Sequence, residues 1–227
     1  MISTKDIEIK GSGDLISKII EPGNLECTIR GIELVVPPYD NSAYNVVLEC
    51  EGPDMGEDFE GFFIDKDNES LGRYKGQVGR IRLSQYAFSN GETKSGVKID
   101  RDMAMLRALK SLCLELGCNS WLEQQDNQHD TIESLFTQFK EDKPFENVKL
   151  KMCIGGKEYT NRNGYTNYDL YLPRITKQGK PYESVNVSES DSKLLVFNAD
   201  KHIIKQKAPQ NVESFGSNDT PGSDFDI

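Results

Sequence analysis

Residues 159–174, YTNRNGYTNYDLYLPR, carry tyrosines at 159, 165, 168 and 171 and arginines at 162 and 174 against a single acid, Asp169. A second stretch, RIRLSQYAF (80–88), places Arg80, Arg82, Ser84, Tyr86 and Phe88 on one face if it is a strand, because successive strand side chains point to opposite sides. Arginine and tyrosine gathered on one surface suit a ligand that is both planar and anionic. Cations follow a phosphate track, and aromatic faces stack under bases at about 1–3 kcal/mol each, with little regard for base identity. The competing reading is an ordinary hairpin, in which tyrosine supplies β-propensity and the charges keep a sheet soluble. Alternation along 165–172 puts Tyr168, Leu170 and Leu172 on one face and Tyr171 with Asn167 and Asp169 on the other. It therefore predicts a core role for Tyr168 and makes Tyr86, Phe88, Tyr159, Tyr165 and Tyr171 the stacking candidates.

The chain of 227 residues has a formal charge of −10, unevenly spread. Residues 66–110 hold ten Lys/Arg against five Asp/Glu, and residues 149–182 seven against two, so each island is +5 and the remainder −20. The field in a groove follows local rather than total charge. The candidate phosphate track comprises Arg73, Lys75, Arg80, Arg82, Lys149, Lys151, Arg162 and Arg174.

Catalytic chemistry finds little to work with. GRYKGQVGR lacks the GxxxxGK[ST] pattern of a phosphate-binding loop, and the two histidines, 129 and 202, stand far apart, outside any nucleophile motif. The acids of EGPDMGEDFEG (51–61) suit a hard cation such as Mg²⁺, but no second carboxylate cluster accompanies them. Five cysteines (27, 50, 113, 118, 153) include no CxxC pair and read as small core residues in a reducing compartment, with neither disulfide framework nor zinc site. The expectation is a non-enzyme with no cofactor and no metal.

Around these residues the pattern predicts one domain, residues 21–207, after a partly ordered arm (1–20) and before a disordered acidic tail (208–227). LECTIRGIELVV (25–36) alternates, slips phase at Gly31 and resumes, the mark of a bulged, bent strand. Further strands are predicted at 44–50, 58–65, from Val78 onward, at 147–156, and in a hairpin turning near Asn163-Gly164; LLVFN (194–198) is a last short apolar run. Between them lies a helical insertion at about 100–143. Asp100 opens its first helix and Gly117 closes it, while Asp130 and Glu133 form a capping box before Ile132, Leu135, Phe136 and Phe139. Mainly β with a helical insertion, the order fits an oligonucleotide/oligosaccharide-binding (OB) barrel, closed or partly open; a β-sandwich with a helical excursion is the alternative. No apolar run approaches the ~20 residues of a membrane span, and MISTKDIEIKGSGD lacks a signal design, which predicts a cytoplasmic location.

KIIEPGN (18–24), EGFFIDK (60–66), YKGQVGRIR (74–82) and NGYTNYDLYLPR (163–174), in that order, resemble single-stranded DNA-binding proteins of crAss-like and related Bacteroidales phages. The resemblance covers roughly residues 18–175 and the tail. It implies an OB-fold core that coats single-stranded DNA during phage replication or recombination in the host cytoplasm. It also implies an acidic tip, Asp224, Phe225, Asp226 and Ile227, that recruits replication and recombination proteins. The tip departs from the commonest bacterial form, where consecutive aspartates precede a terminal aromatic; here only two flank Phe225 and isoleucine ends the chain. Two other readings accompany this one: an adaptor whose β surface binds a protein, and, more weakly, a metal-dependent nuclease using the acids of 51–60.

Overall fold

Gly31 sits where the sequence pattern slips, and there the long strand β2 (Gly23–Val35) breaks register: Ile29 faces Cys50 and Gly31 faces Glu49, so Arg30 is the extra, bulged residue. The bend lets one strand serve two neighbours. Residues 23–28 pair with β7 (Lys149–Thr160), and residues 28–35 pair with β3 (Asn45–Glu51). The computed structural model describes residues 18–52, 77–93, 96–146, 148–177, 180–184, 187–188 and 190–206. The expected strand at 58–65, the basic residues Arg73 and Lys75, and the tail with its tip 224–227 lie outside the described residues.

β1 (Lys18–Ile19) runs parallel to the start of β4 (Gln77–Arg82), which is antiparallel to β3. β7 turns into β8 (Thr166–Tyr171), and β8 lies parallel to β4, with Ile81 opposite Leu170. The circuit β2–β3–β4–β8–β7–β2 is a closed five-stranded barrel, mainly antiparallel with one parallel seam. This is the OB-fold strand order, and the sandwich alternative falls away. Cys27, Ile29, Ile32, Val46, Leu48, Cys50, Ile81, Leu150, Met152, Ile154 and Leu170 fill the interior.

β7 turns a corner at Gly155-Gly156, where its partner changes from β2 to β8. A Cβ on Gly155 would lie 2.7 Å from Cζ of Tyr171, its cross-strand partner, and 2.8 Å from the carbonyl oxygen of His202. On Gly156 it would lie 2.6 Å from Cγ of Pro22. The missing side chains leave a notch that the Tyr171 ring occupies.

The helical insertion fills the connection between β4 and β7. After the β5 (Gly91–Glu92)/β6 (Lys98–Ile99) ribbon, Asp100 caps α1 (Arg101–Glu115), its Oδ1 accepting from the Met103 amide at 2.9 Å. Gly117, at φ +71°, ends it, and the Cys118 amide returns to the Cys113 carbonyl at 2.9 Å. The connection after Gly117 holds a helix that patterning does not predict, α2 (Asn119–Gln124), over which the Trp121 indole donates to Asp142 Oδ2 at 2.8 Å. The cap of α3 (Ile132–Asp142) is one residue later than the capping box implies: Thr131 Oγ1 accepts from the Ser134 amide. Glu133 is engaged elsewhere, 3.7 Å from Arg101 and hydrogen-bonded by the Tyr44 hydroxyl. α1 and α3 turn Met105, Leu109, Leu112, Ile132, Leu135, Phe136 and Phe139 inward, and α3 packs on β2.

After β8 come the β9 (Ile175–Lys177)/β10 (Lys180–Ser184) hairpin and β11 (Val187–Ser188), which pairs with β7. LLVFN forms no strand; Asn24 clamps it, donating to the Leu195 carbonyl at 3.0 Å and accepting from the Phe197 amide at 2.8 Å. The short α4 (Ala199–His202) then leads to β12 (Ile203–Ile204), alongside Gly156 and Lys157 of β7. All five cysteines are buried thiols. Among the described residues no helix is long and apolar enough to cross a membrane, and no three His, Cys, Asp or Glu side chains converge as metal ligands.

Candidate nucleic-acid interface

The outward faces of β2, β3 and β4 line an open cleft of about 830 Å³, flanked by the β7–β8 hairpin. Arg30, Glu49, Glu51, Arg80 and Arg82 come from the three strands, and Tyr159, Tyr168 and Asp169 from the hairpin. The hairpin tip is well defined: Asn161 Oδ1 accepts from the amides of Asn163 (3.0 Å) and Tyr165 (2.9 Å), and Gly164 takes φ +82°. The turn falls at Asn163-Gly164, where the sequence pattern puts it. Arg162 is exposed at this tip and Tyr165 is 69% exposed, while Tyr159, on β7 just before it, is 42% exposed.

The cleft floor is electrically balanced. Nε and Nη2 of Arg30 both meet Glu51 Oε2 at 2.6 Å. Arg80 bonds Glu33 on β2 through Nη2, bypassing Glu49, its register partner on β3. Glu49 instead folds over the bulge, its Oε2 only 2.6 Å from where a Cβ on Gly31 would stand. Arg82, half-buried, makes no ion pair with a described residue.

Beyond Arg82 the chain bends at 83–86. Tyr86 emerges there 63% exposed, with the Arg174 guanidinium 5.9 Å from its ring centre. Arg174 also donates to the buried Ser84 hydroxyl at 3.1 and 3.3 Å. This gives a second Arg–Tyr surface at the end of β4 and β8. The connection between β2 and β3 is anchored nearby. Arg101 stacks on Tyr44 at 4.7 Å and donates to the Ser42 carbonyl at 2.9 Å, tying α1 to the start of β3. The Tyr44–Glu133 hydrogen bond raises the phenol above its ordinary value and holds the Glu133 carboxyl below its own.

Comparison with protein-family models, with curated proteins and with solved structures gives no match. The site therefore rests on its own geometry.

That geometry divides the sequence-derived set. Arg80, Arg82 and Tyr159 share the cleft, with Arg162 and Tyr165 at the adjoining tip and Tyr86 and Arg174 at the other end of β8. Lys149 and Lys151 do not line it. They stand opposite Thr28 and Glu26 on the β2–β7 side, Lys151 paired with Asp191 at 2.9 Å. Two stacking candidates are corrected. Phe88 is only 8% exposed, because the bend at 83–86 ends the β4 alternation and Phe88 then bridges Tyr44, its amide 2.7 Å from the Tyr44 carbonyl. Tyr171 is 2% exposed, seated in the Gly155 notch with its hydroxyl donating to the His202 carbonyl at 2.9 Å; burial raises its phenol. Tyr168 packs partly against the core, as alternation predicts, and also lines the cleft. Arg30 was absent from the sequence-derived set, although alternation before the bulge already places it on the outer face with Glu26 and Thr28.

Proposed function

We propose that this protein binds single-stranded DNA without sequence preference, holding it in the β2–β3–β4 cleft under the β7–β8 hairpin, and that it acts by coating rather than by catalysis. The observation that carries the reading is the cleft itself: an outward barrel face with three arginines, flanked by a hairpin with exposed tyrosines. OB barrels take oligonucleotides on the face of their second and third strands, between the loops joining strands one to two and four to five. The corresponding parts here are β3, β4, the connection 36–44 and the tip 161–165. Arg30, Arg80 and Arg82 supply phosphate contacts, and Tyr159, Tyr165 and Tyr86 supply faces for bases. The likeness of four sequence phrases to phage single-stranded DNA-binding proteins supports a place in phage replication or recombination in the host cytoplasm. On that reading the acidic tip 224–227 recruits the partner proteins. Titrating a labelled oligo-dT at several salt concentrations tests the proposal, because phosphate contacts make affinity fall steeply with salt.

One observation favours the adaptor reading: Glu33, Glu49 and Glu51 equal the three arginines in number on the same face, and two of them pair with Arg80 and Arg30. A protein segment bearing both charges would complement such a surface. Failure of the oligonucleotide to bind at low salt, with or without residues 209–227, removes the DNA reading and leaves the adaptor reading standing.

A further inference from the structure

On the reading of the cleft as a DNA site, we infer that Glu33 and Glu51 are built-in competitors for phosphate. They occupy Arg80 and Arg30 in the free protein, so a strand binds by exchanging carboxylate for phosphate rather than by meeting bare cations.

Three observations carry this. First, the pairs are directed rather than incidental. Arg30 sends two donors to one oxygen of Glu51, and Arg80 reaches across β3 to Glu33, past a glutamate directly opposite it. Second, both pairs are roughly half exposed, with side-chain exposures of 51% and 47% for Arg30–Glu51 and 59% and 43% for Arg80–Glu33. Ion pairs this open hold weakly, and an incoming phosphate, with its own strong acceptor oxygens, displaces them. A buried pair would resist, because separating it strands a desolvated charge. Third, the same face carries an internal control: Glu49 lines the cleft but lies over Gly31 and holds no cleft arginine.

The exchange gives the cleft a graded response. Arg82 makes no ion pair with a described residue, so among the described carboxylates none is displaced when it meets phosphate. Arg30 and Arg80 each bind phosphate only by releasing a carboxylate, so each contact they add is weaker than one to an unpaired arginine. A short anion thus gains one contact at most, while a strand along the cleft gathers three.

The test uses the full chain, with fluorescence anisotropy of labelled oligo-dT at low salt, for the wild type, E33Q, E51Q, E33Q/E51Q and E49Q. Thermal melts check that each isosteric variant is folded. E33Q and E51Q are each expected to tighten binding about 2- to 5-fold, the range that exposed pairs imply. The double variant is expected to tighten further and E49Q clearly less. Equal tightening by E49Q overturns the inference in favour of plain field repulsion. Unchanged or weaker binding by E33Q and E51Q overturns it in favour of carboxylates that merely position the arginines. If neither the wild type nor the chain lacking residues 209–227 binds oligo-dT at low salt, the DNA reading itself falls and takes this inference with it.

Discussion

The Tyr171 hydroxyl donates to the backbone carbonyl of His202 at 2.9 Å, while the Tyr171 ring fills the space that Gly155, its cross-strand partner, leaves open. This contact fastens the C-terminal segment, α4 and β12, onto the corner of β7. It moves Tyr171 from a candidate binding surface into the framework that holds the hairpin.

Tyr171 should therefore behave as a stability residue. Tyr171→Phe removes one buried hydrogen bond and should cost about 1 kcal/mol, and Tyr171→Ala, which also empties the notch, about 3–5 kcal/mol. Chemical denaturation reads both, and Tyr171→Phe should leave oligonucleotide affinity unchanged.

Tyr159 and Tyr165 make the opposite case, since both are exposed beside the cleft. Each alanine substitution should weaken oligo-dT binding by about 1–3 kcal/mol if its ring carries a base. Melting temperatures should stay near the wild-type value. A loss of stability without a loss of affinity would return these tyrosines to the ordinary-hairpin reading.

His202 should make stability depend on mild acid. Its Nδ1 accepts from the Asn198 amide at 3.0 Å and lies 3.8 Å from Cys153 Sγ; burial, then nearby Lys201, lowers the imidazole from its ordinary 6.5. The unfolded chain therefore takes up the proton first. The stabilisation is complete above pH 6.5 and lost as pH falls from there toward the lowered folded value. Stability read from urea midpoints should fall between pH 7.5 and 5.5, and His202→Gln should flatten that slope.

Much of the framework was legible because it is local. The phase slip at Gly31 marks the bulge, Asp100 and Gly117 bracket α1, and Asn163-Gly164 marks the hairpin turn. What escaped depends on partners distant in sequence. The burial of Tyr171 needs Gly155 and His202, 16 and 31 residues away by number. Phe88 turns inward because it bridges Tyr44, and α2, only six residues long, is steadied by Trp121 reaching Asp142. Strand alternation identified an outward face on β4 but not which carboxylates share it, since Arg80 finds Glu33 two strands away. The basic islands were thus counted correctly, yet their charges fall on several surfaces, with Lys149 and Lys151 outside the cleft.

The most direct test of the central claim is the affinity of the full chain for labelled oligo-dT across a salt series. At about −0.7 per phosphate on a single strand, three cleft arginines predict a log–log slope of roughly −2 or steeper, with the oligonucleotide left intact in Mg²⁺. Absence of binding at low salt, both in the full chain and after removal of residues 209–227, would contradict it, as would Mg²⁺-dependent cleavage.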